Sequence, residues 1–472
     1  MRARDPEPNG PRGKTLVAAV IPSYGRHADV AALLGDLAAA DLRSIDLRVV
    51  VVDNASKPPL AEGLCAPGPV IEVIRLDENL GGSGGFNAGI RAALSEPRWR
   101  AWGGRPELIW LLDSDARVAK RTLRRLVAAL RAHPDLVAVG AAIHDASTRE
   151  PYEIGGRVSR VLGTYGPMES GRGCPRRLVR CDYLSACCLL VRTEAVERTG
   201  LMPDVFLNCD DVEWTVRLRS ATGLGLAAVA GARAYHPPGK FVTWARYCQA
   251  RNAFGPVDAL HLGACVRFLR AVVEGVRAVG MHALGRDDLA GLHVAGLRAA
   301  AGGERAGRPP RDVFAERPAR ARAELGETIR GLGAPAGRAP RVFLDPKLEL
   351  TGAERSTIGA GCIAGSGFGA CSSGRGAGLT ASRARALAAA AWRFLTGTDA
   401  HVAIIGARED PRLWFRGATV LVVTPTHFWT HRLERWVFIR RSVRSLGAAF
   451  WHGARIALGG ARSCELPRVH GV

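Results

Sequence analysis

Asp113-Ser114-Asp115 closes the apolar run Leu108-Ile109-Trp110-Leu111-Leu112. In an extended turn residues i and i+2 project to one side, so Asp113 and Asp115 can offer hard oxygen donors to one Mg2+ or Mn2+, with Ser114 as spacer. The other reading of two acids after a strand is a cap on the next helix. Asp53, in Asp53-Asn54-Ala55-Ser56, can accept hydrogen bonds from a ribose or a base N–H, or it can shape a turn. The run Asn79-Leu80-Gly81-Gly82-Ser83-Gly84-Gly85-Phe86-Asn87-Ala88-Gly89 has the glycines that let backbone approach a diphosphate, ahead of a helix start that favours anions. No G-x-G-x-x-G register fits it, which argues against a dinucleotide-binding dehydrogenase.

Strands must position these groups. Residues 108–112, with helix-like stretches on either side, read as a buried strand of a parallel sheet, and such sheets bind ligands at their carboxyl ends. Residues 16–21, ending in Pro22-Ser23-Tyr24-Gly25-Arg26, 47–52 and 70–76 read as three more strands, and 30–40 has helical spacing. Four strand–helix units then bring four polar strand ends to one edge, the plan of an α/β nucleotide-binding domain.

The 472 residues suit two or three domains, and 47% apolar content is ample for their cores. Residues 1–14 lack the apolar core of a signal peptide, and no apolar stretch reaches the roughly 18 residues of a membrane span. Eleven cysteines show no C-x-x-C pair, and Cys187, Cys188 and Cys265 lie in apolar runs, as buried thiols of a reducing compartment do. A cytoplasmic location is expected. The net charge of +21 raises nucleic acid as a partner, yet residues 330–472 hold 20 Arg and Lys against 8 Asp and Glu, outside the segment carrying the chemistry. The basic region shows no base-reading motif or interleaved aromatics, so a nucleic-acid partner is not expected. An anionic membrane surface or a phosphate-rich substrate draws on the same charge.

The order Pro22-Ser23-Tyr24, Asp53-Asn54, Asn79 to Gly89, Asp113 to Asp115 resembles the family 2 glycosyltransferases, whose fold is the GT-A nucleotide-diphospho-sugar transferase domain, α/β with a mostly parallel sheet flanked by helices. The resemblance implies that Pro22, Tyr24, Asp53, Asn79, Gly81, Gly82 and Asp113 hold a nucleotide-sugar donor, and that Asp113 and Asp115 hold Mn2+ or Mg2+. Arg180 to Arg192 resembles the family's acceptor-side loop, and Phe206 to Leu218 its acidic segment that supplies the base. By position Asp211 is the base, with Asp210 and Glu213 as competing acids; the other reading of the cluster is a solvated helix start. Asp210-Asp211, where most members carry Glu-Asp, is typical of galactofuranosyltransferases. Members of that kind place a third metal ligand at a histidine such as His236, after the apolar stretch 224–230, and a structural His236 is the alternative. Tyr247-Cys248-Gln249-Ala250-Arg251-Asn252 resembles an aromatic-x-x-x-Arg-Asn element of rhamnosyl- and galactofuranosyl-transferring members, with Cys248 in place of their second aromatic. The implied acceptor contacts are Asp182, Tyr183, Ser185, Asp210, Trp214, Arg251 and Asn252. The implied activity is inverting transfer of a hexose, galactofuranose or rhamnose, from a UDP or dTDP donor to a saccharide, lipid-linked acceptor in cell-envelope polysaccharide synthesis. A fold-sharing sugar- or nucleotide-binding protein without turnover is the alternative, and it predicts loss of the acids that are present here.

Beyond the catalytic domain, expected over 15–256, a helical segment spans 257–330 and a basic Gly/Arg-rich region spans 331–472. Leu262, Val266, Leu269, Val273 and Val276 recur at helical steps beside Arg267, Arg270 and Arg277, which reads as a helix packing on the catalytic domain or docking on a membrane. Residues 301–341 read as a linker with one helix. The Gly/Ser-rich run 359–378 reads as flexible although 365–370 fits G-x-G-x-x-A. Strands are expected near 402–405 and 419–423. Trp436, Ile439, Val443, Leu446 and Phe450, flanked by Arg435, Arg440, Arg441 and Arg444, suit either a core helix or one lying in a membrane interface, a peripheral attachment at the inner face of the cell membrane.

Overall fold

The computed structural model describes residues 14–60, 69–168, 178–237, 245–283, 287–304 and 309, and six strands and one helix between 320 and 458. The chain divides into two compact units at Arg267/Phe268, with residues 303–309 returning to the first.

The first unit is built on β1 (Thr15–Ser23), β2 (Ile45–Asp53), β3 (Val70–Arg75) and β4 (Leu108–Leu112), joined by α1 (His27–Ala38), α2 (Gly81–Ala93) and α3 (Glu96–Trp102). β1 pairs in parallel with β2 and β4, and β2 with β3. The residues after β2 include no described helix before β3. The two-residue β5 (Arg117–Val118) and α4 (Thr122–Ala132) lead to β6 (Leu136–Asp145). The short β7 (Pro151–Glu153), β8 (Gly156–Val158) and β9 (Tyr165–Pro167) follow, then β10 (Leu178–Cys181) and β11 (Cys188–Arg192). α5 (Thr193–Thr199), α6 (Asp210–Thr222), β12 (Gly225–His236), α7 (Ala245–Asn252) and α8 (Gly255–Ala259) complete the unit.

The sheet runs β10-β12-β6-β11-β4-β1-β2-β3, with β5 on β12 and β7 on β6. It is mixed rather than mostly parallel, because β11 inserts antiparallel between β4 and β6. Alternate residues of β1 and β4 bury on opposite faces, as a pleat of period two requires. Ala18, Val20, Ile109 and Leu111 pack with Phe86 and Ile90 of α2, while Val17, Ala19, Ile21 and Trp110 pack with Leu33 of α1 and Leu126 of α4. Each such large apolar side chain contributes about 1.5–3 kcal/mol by leaving water.

The glycine-rich run forms a helix, not an open loop. α2 starts at Gly81, and a β-carbon at Gly85 would meet Pro22 Cβ at 2.7 Å. One at Gly89 would overlap Val20 of β1. These glycines bring the helix tight onto the first strand.

In the second unit α10 (Asp287–Gly302) packs with α11 (Arg435–Leu458), and α9 (Ala264–Ala283), which begins in the first, meets α10 at Glu274–His293 and α11 at Gly275–Ala449. The buried side of α9 holds Arg270, Ala271, Glu274 and Ala278, whereas Leu269 and Val276 of the expected apolar stripe are exposed. Glu274 compensates by accepting from Arg277 Nη1 (2.6 Å) and pairing with Arg270 Nη1 (2.6 Å) and His293 Nδ1 (2.7 Å). A separate sheet orders β13 (Arg320–Ala321), β18 (His427–Arg432), β17 (Thr419–Val423), β16 (His401–Gly406), β14 (Arg341–Leu344) and β15 (Ile363–Ala364). Strands were expected at β16 and β17. Most of the linker 301–341 and of the run 359–378, with its 365–370 motif, lies outside the described residues.

Candidate active site

Parallel β1, β2 and β4 end together, and antiparallel β11 begins beside the end of β4. Asp113 and Asp115 follow β4, and β12 ends on His236. His236 Nε2 lies 3.1 Å from Asp115 Oδ1 and 3.7 Å from Asp113 Oδ2. Arg26, in the turn after β1, holds Asp115 Oδ2 at 2.8 Å. The Tyr152 hydroxyl sits 3.2 Å from His236 Nδ1 and fixes the ring. A carboxylate oxygen of Asp113, Cys187 Sγ and a ring nitrogen of His236 all lie within 4.8 Å of one another. The carboxylates and imidazole are the donor types that bind Mn2+, so the residues fit the expected cation.

Burial shifts these groups. Asp113 is pushed up to about 6, chiefly by desolvation and against the pull of His236. Burial opposes the Asp115 charge, yet His236 and Arg26 hold its carboxyl below the usual range. His236 is raised, because Asp115 and Asp113 outweigh the cost of burying its charge.

Opposite stands the start of α6. Asp211 Oδ2 accepts from the Ala186 N–H (3.1 Å), Oδ1 from the Val212 N–H (2.7 Å), and Ser185 hydrogen-bonds the same carboxylate. Burial nonetheless raises Asp211 and, with the Asp211 charge, raises Asp210. Glu213 is different: both its oxygens are taken by Arg217, at 2.7 and 3.1 Å, one turn along the helix. The geometry therefore sets Glu213 apart from the other two acids. Phe206, Asn208 and Cys209 adopt left-handed backbone just before Asp210, which L residues rarely do.

Asn252 and Arg251 hold that segment from behind. The Asn252 amide donates to the carbonyls of Leu207 (2.8 Å) and Asn208 (3.0 Å), and Arg251 Nη2 to Val205 (2.8 Å). Arg251 is 2% exposed and Trp214 0%, its indole N–H spent on the Gly200 carbonyl. These three, expected to touch an acceptor, make these hydrogen bonds within the protein. Tyr183 is also buried, edge-on to Tyr165. Asp182 binds Arg219 (2.8 Å) and the Val158 N–H (3.2 Å), and Ser185 stands between Asp211 and the Cys187 N–H.

On the donor side Tyr24 is exposed at the end of β1, above buried Pro22. The Asp53 carboxylate is occupied by its own turn, accepting from the N–H groups of Ser56 (2.8 Å) and Leu60 (3.0 Å) and from Arg75. These bonds hold it below the usual carboxylate range although burial opposes its charge. The turn reading of Asp53 is the one the structure shows. Asn79 Oδ1 accepts from Gly81 N–H (2.9 Å), and Asn54 clamps the same turn through Leu80 N–H and Gly81 carbonyl, both at 2.8 Å. Gly81 and Gly82 abut Phe206 and Leu207.

Sequence reasoning missed Glu153, Tyr152, Asn54 and the position of Cys187 beside Asp113 and His236. Burial and the nearby Asp211 charge push Glu153 up to about 8, against His236. Nothing in Pro151-Tyr152-Glu153 signals this, because only the pairing of β7 with β6 brings it here. Cys265, expected to be buried, is exposed, while Cys187 and Cys188 are buried.

Strand-end carboxylates and a histidine thus face a helix-borne acid at the edge of a mixed α/β sheet. Residues 18–199 match the family described as glycosyl transferase family 2. No curated protein matches it by sequence. Among solved structures it is similar to GalNAc-T7 with UDP, GalNAc and Mn2+, at 12% identity over 56% of this chain and 51% of that one, with a TM-score of 0.42. It thus spans about half of that protein's length. It is also similar to Staphylococcus aureus TarS 1–349 (16% identity, 54% of this chain and 69% of that one, TM-score 0.35). A third is the mannosyltransferase PcManGT from Pyrobaculum calidifontis in complex with GDP-Man and Mn2+ (17% identity, 70% and 84%, TM-score 0.38).

Proposed function

We propose that residues 15–256 transfer a hexosyl group, with inversion, from a nucleotide-diphosphate donor to a saccharide hydroxyl. The observation that carries this reading is the convergence of Asp113, Asp115 and His236 with Asp211, whose charge is close enough to raise Asp113. Asp113, Asp115 and His236 would hold the divalent cation, which when bound neutralises the departing diphosphate. Tyr24, the Asn79–Gly82 turn and the start of α2 receive the nucleotide and diphosphate.

Asp211 takes the proton from the acceptor hydroxyl as its oxygen attacks the anomeric carbon opposite the leaving group. Ala186 and Val212 N–H groups aim its carboxylate, and Ser185 supports it. One displacement suffices, so no second carboxylate acts as nucleophile. The Asp210-Asp211 pair and the Tyr247…Arg251-Asn252 element support galactofuranose or rhamnose on UDP or dTDP, with a lipid-linked acceptor of the cell envelope. Support for peripheral membrane attachment comes from α11, whose Val443 (62%), Phe450 (51%) and Trp451 (67%) are exposed beside Arg440 and Arg444. No described helix is long and apolar enough to cross a membrane.

Screening UDP-, dTDP- and GDP-hexoses by thermal shift, with Mn2+ and with chelator, tests the donor. A ligand of the folded state raises its stability by mass action. Stabilisation by one donor only with Mn2+, followed by turnover, is expected; no response to any donor would overturn the reading.

A further inference from the structure

Cys187 sits in the turn that feeds β11. β11 pairs antiparallel with β4, Cys188 opposite Leu112, so the register carried one residue further sets Cys187 opposite Asp113. The Asp113 N–H donates to the Cys187 carbonyl at 3.3 Å. Directly opposed residues of an antiparallel pair project to the same face, which puts thiol and carboxylate side by side. β12, two strands beyond β11, delivers His236 to the same place.

The three ligand atoms lie within 4.8 Å of one another. A tetrahedral Zn2+ with bonds of about 2.0–2.3 Å keeps its ligand atoms roughly 3.3–3.7 Å apart. His236 Nε2 and Asp113 Oδ2, at 3.7 Å, already meet that spacing. The other two separations are at most 4.8 Å, about 1 Å more than that spacing. Tyr152, 3.2 Å from His236 Nδ1, occupies the other ring nitrogen and so leaves Nε2 turned toward the carboxylates. Carboxylate and imidazole alone suit Mn2+ or Mg2+; a thiolate moves the preference to softer cations.

We propose that Cys187 joins Asp113 and His236 as a metal ligand, and that the site binds a zinc-class cation, Zn2+ or Co2+, in preference to Mg2+. The inference rests on the proposed transferase only in placing the cation at the same strand ends. Its test does not use transfer. The metal-free full-length protein is titrated with Co2+, and the thiolate-to-cobalt charge-transfer band in the near ultraviolet is followed. The wild type should develop the band, and Cys187→Ser should lose it. Zn2+ affinity should fall by about 100-fold, the upper end of what even supporting residues of metal sites cost. Zinc-edge X-ray absorption on the unmodified protein should show one sulfur neighbour at about 2.3 Å, a result that does not depend on any variant folding. Absence of a sulfur neighbour, a band that survives Cys187→Ser, or no preference for Zn2+ over Mg2+ overturns the proposal. A protein that shows the band but transfers no sugar would instead overturn the transferase reading and leave this one standing.

Discussion

Gly81 stands so close to Phe206 that a β-carbon on it would overlap the Phe206 carbonyl. Gly81 also has φ +74°, a conformation that glycine adopts without strain. The donor-side turn and the segment leading to Asp210-Asp211 therefore share one contact. Gly81→Ala is expected to lower the melting temperature and to weaken donor stabilisation, because clash and backbone strain act together; strain alone costs on the order of 1–3 kcal/mol. Calorimetry with and without the donor checks both.

Asp211→Asn should reduce transfer by about 10²–10⁴-fold, the usual worth of a positioned general base, with donor binding nearly intact. Glu213→Gln should leave the chemical step in place and lower stability, since Arg217 loses its ionic partner. Because burial raises Asp211, the rate of wild-type transfer should climb with pH as this acid loses its proton. Equal turnover by wild type and Asp211→Asn on a confirmed donor would move the base to Asp210.

Asp115→Ala is expected to abolish the Mn2+-dependent part of stabilisation by a nucleoside diphosphate. It removes the oxygen nearest His236 and leaves Arg26 paired with Asp29. A thermal shift that is the same in Mn2+ and in chelator would remove the metal from the mechanism.

Val443→Glu with Trp451→Glu should abolish cosedimentation with anionic liposomes at low salt. Both side chains are exposed on α11, so the fold should be undisturbed, and transfer to a short soluble acceptor should persist. Each arginine near such a surface contributes on the order of 1 kcal/mol, screened as salt rises. Unchanged sedimentation would end the idea of a membrane-facing helix.

Glu274→Gln should cost about 3–5 kcal/mol in the second unit, as breaking a buried ion pair does, because Arg270 stays buried without its charge partner. Glu274 is held below its ordinary range by Arg270, His293 and Arg277 despite burial. Its carboxylate is thus more acidic folded than unfolded. The stability it confers is complete above the unfolded value of about 4.3 and fades as pH falls from there toward the folded one. Urea titrations across acid pH should show that slope in the wild type and a flatter one in Glu274→Gln.

What sequence could reveal was set by locality. β4 reads from its apolar run to the residue, and Asp113, Asp115, Asp211 and His236 stand out because acids or a histidine follow apolar strands or open a helix. Cys187 and Glu153 do not, since their importance comes from cross-strand neighbours far along the chain. Helical spacing located α9 and still misjudged its face: the arginine that marks a solvent side elsewhere is buried here by Glu274 and His293, which lie on the same helix and the next. The glycines of α2 read as a loop because helix propensity is poor there, and packing onto β1 overrides it.

The antiparallel insertion of β11 has a consequence for how this segment can vary. Side chains alternate along β11, so Cys188 faces the sheet side opposite Cys187, and the two exchange places if the strand slips by a single residue. Deleting or adding one residue between Tyr183 and Cys187 would carry Leu189 and Val191 out of their apolar contacts and Ala186 away from Asp211. The turn can therefore exchange side chains while its length stays fixed, a constraint written in spacing and not in residue identity.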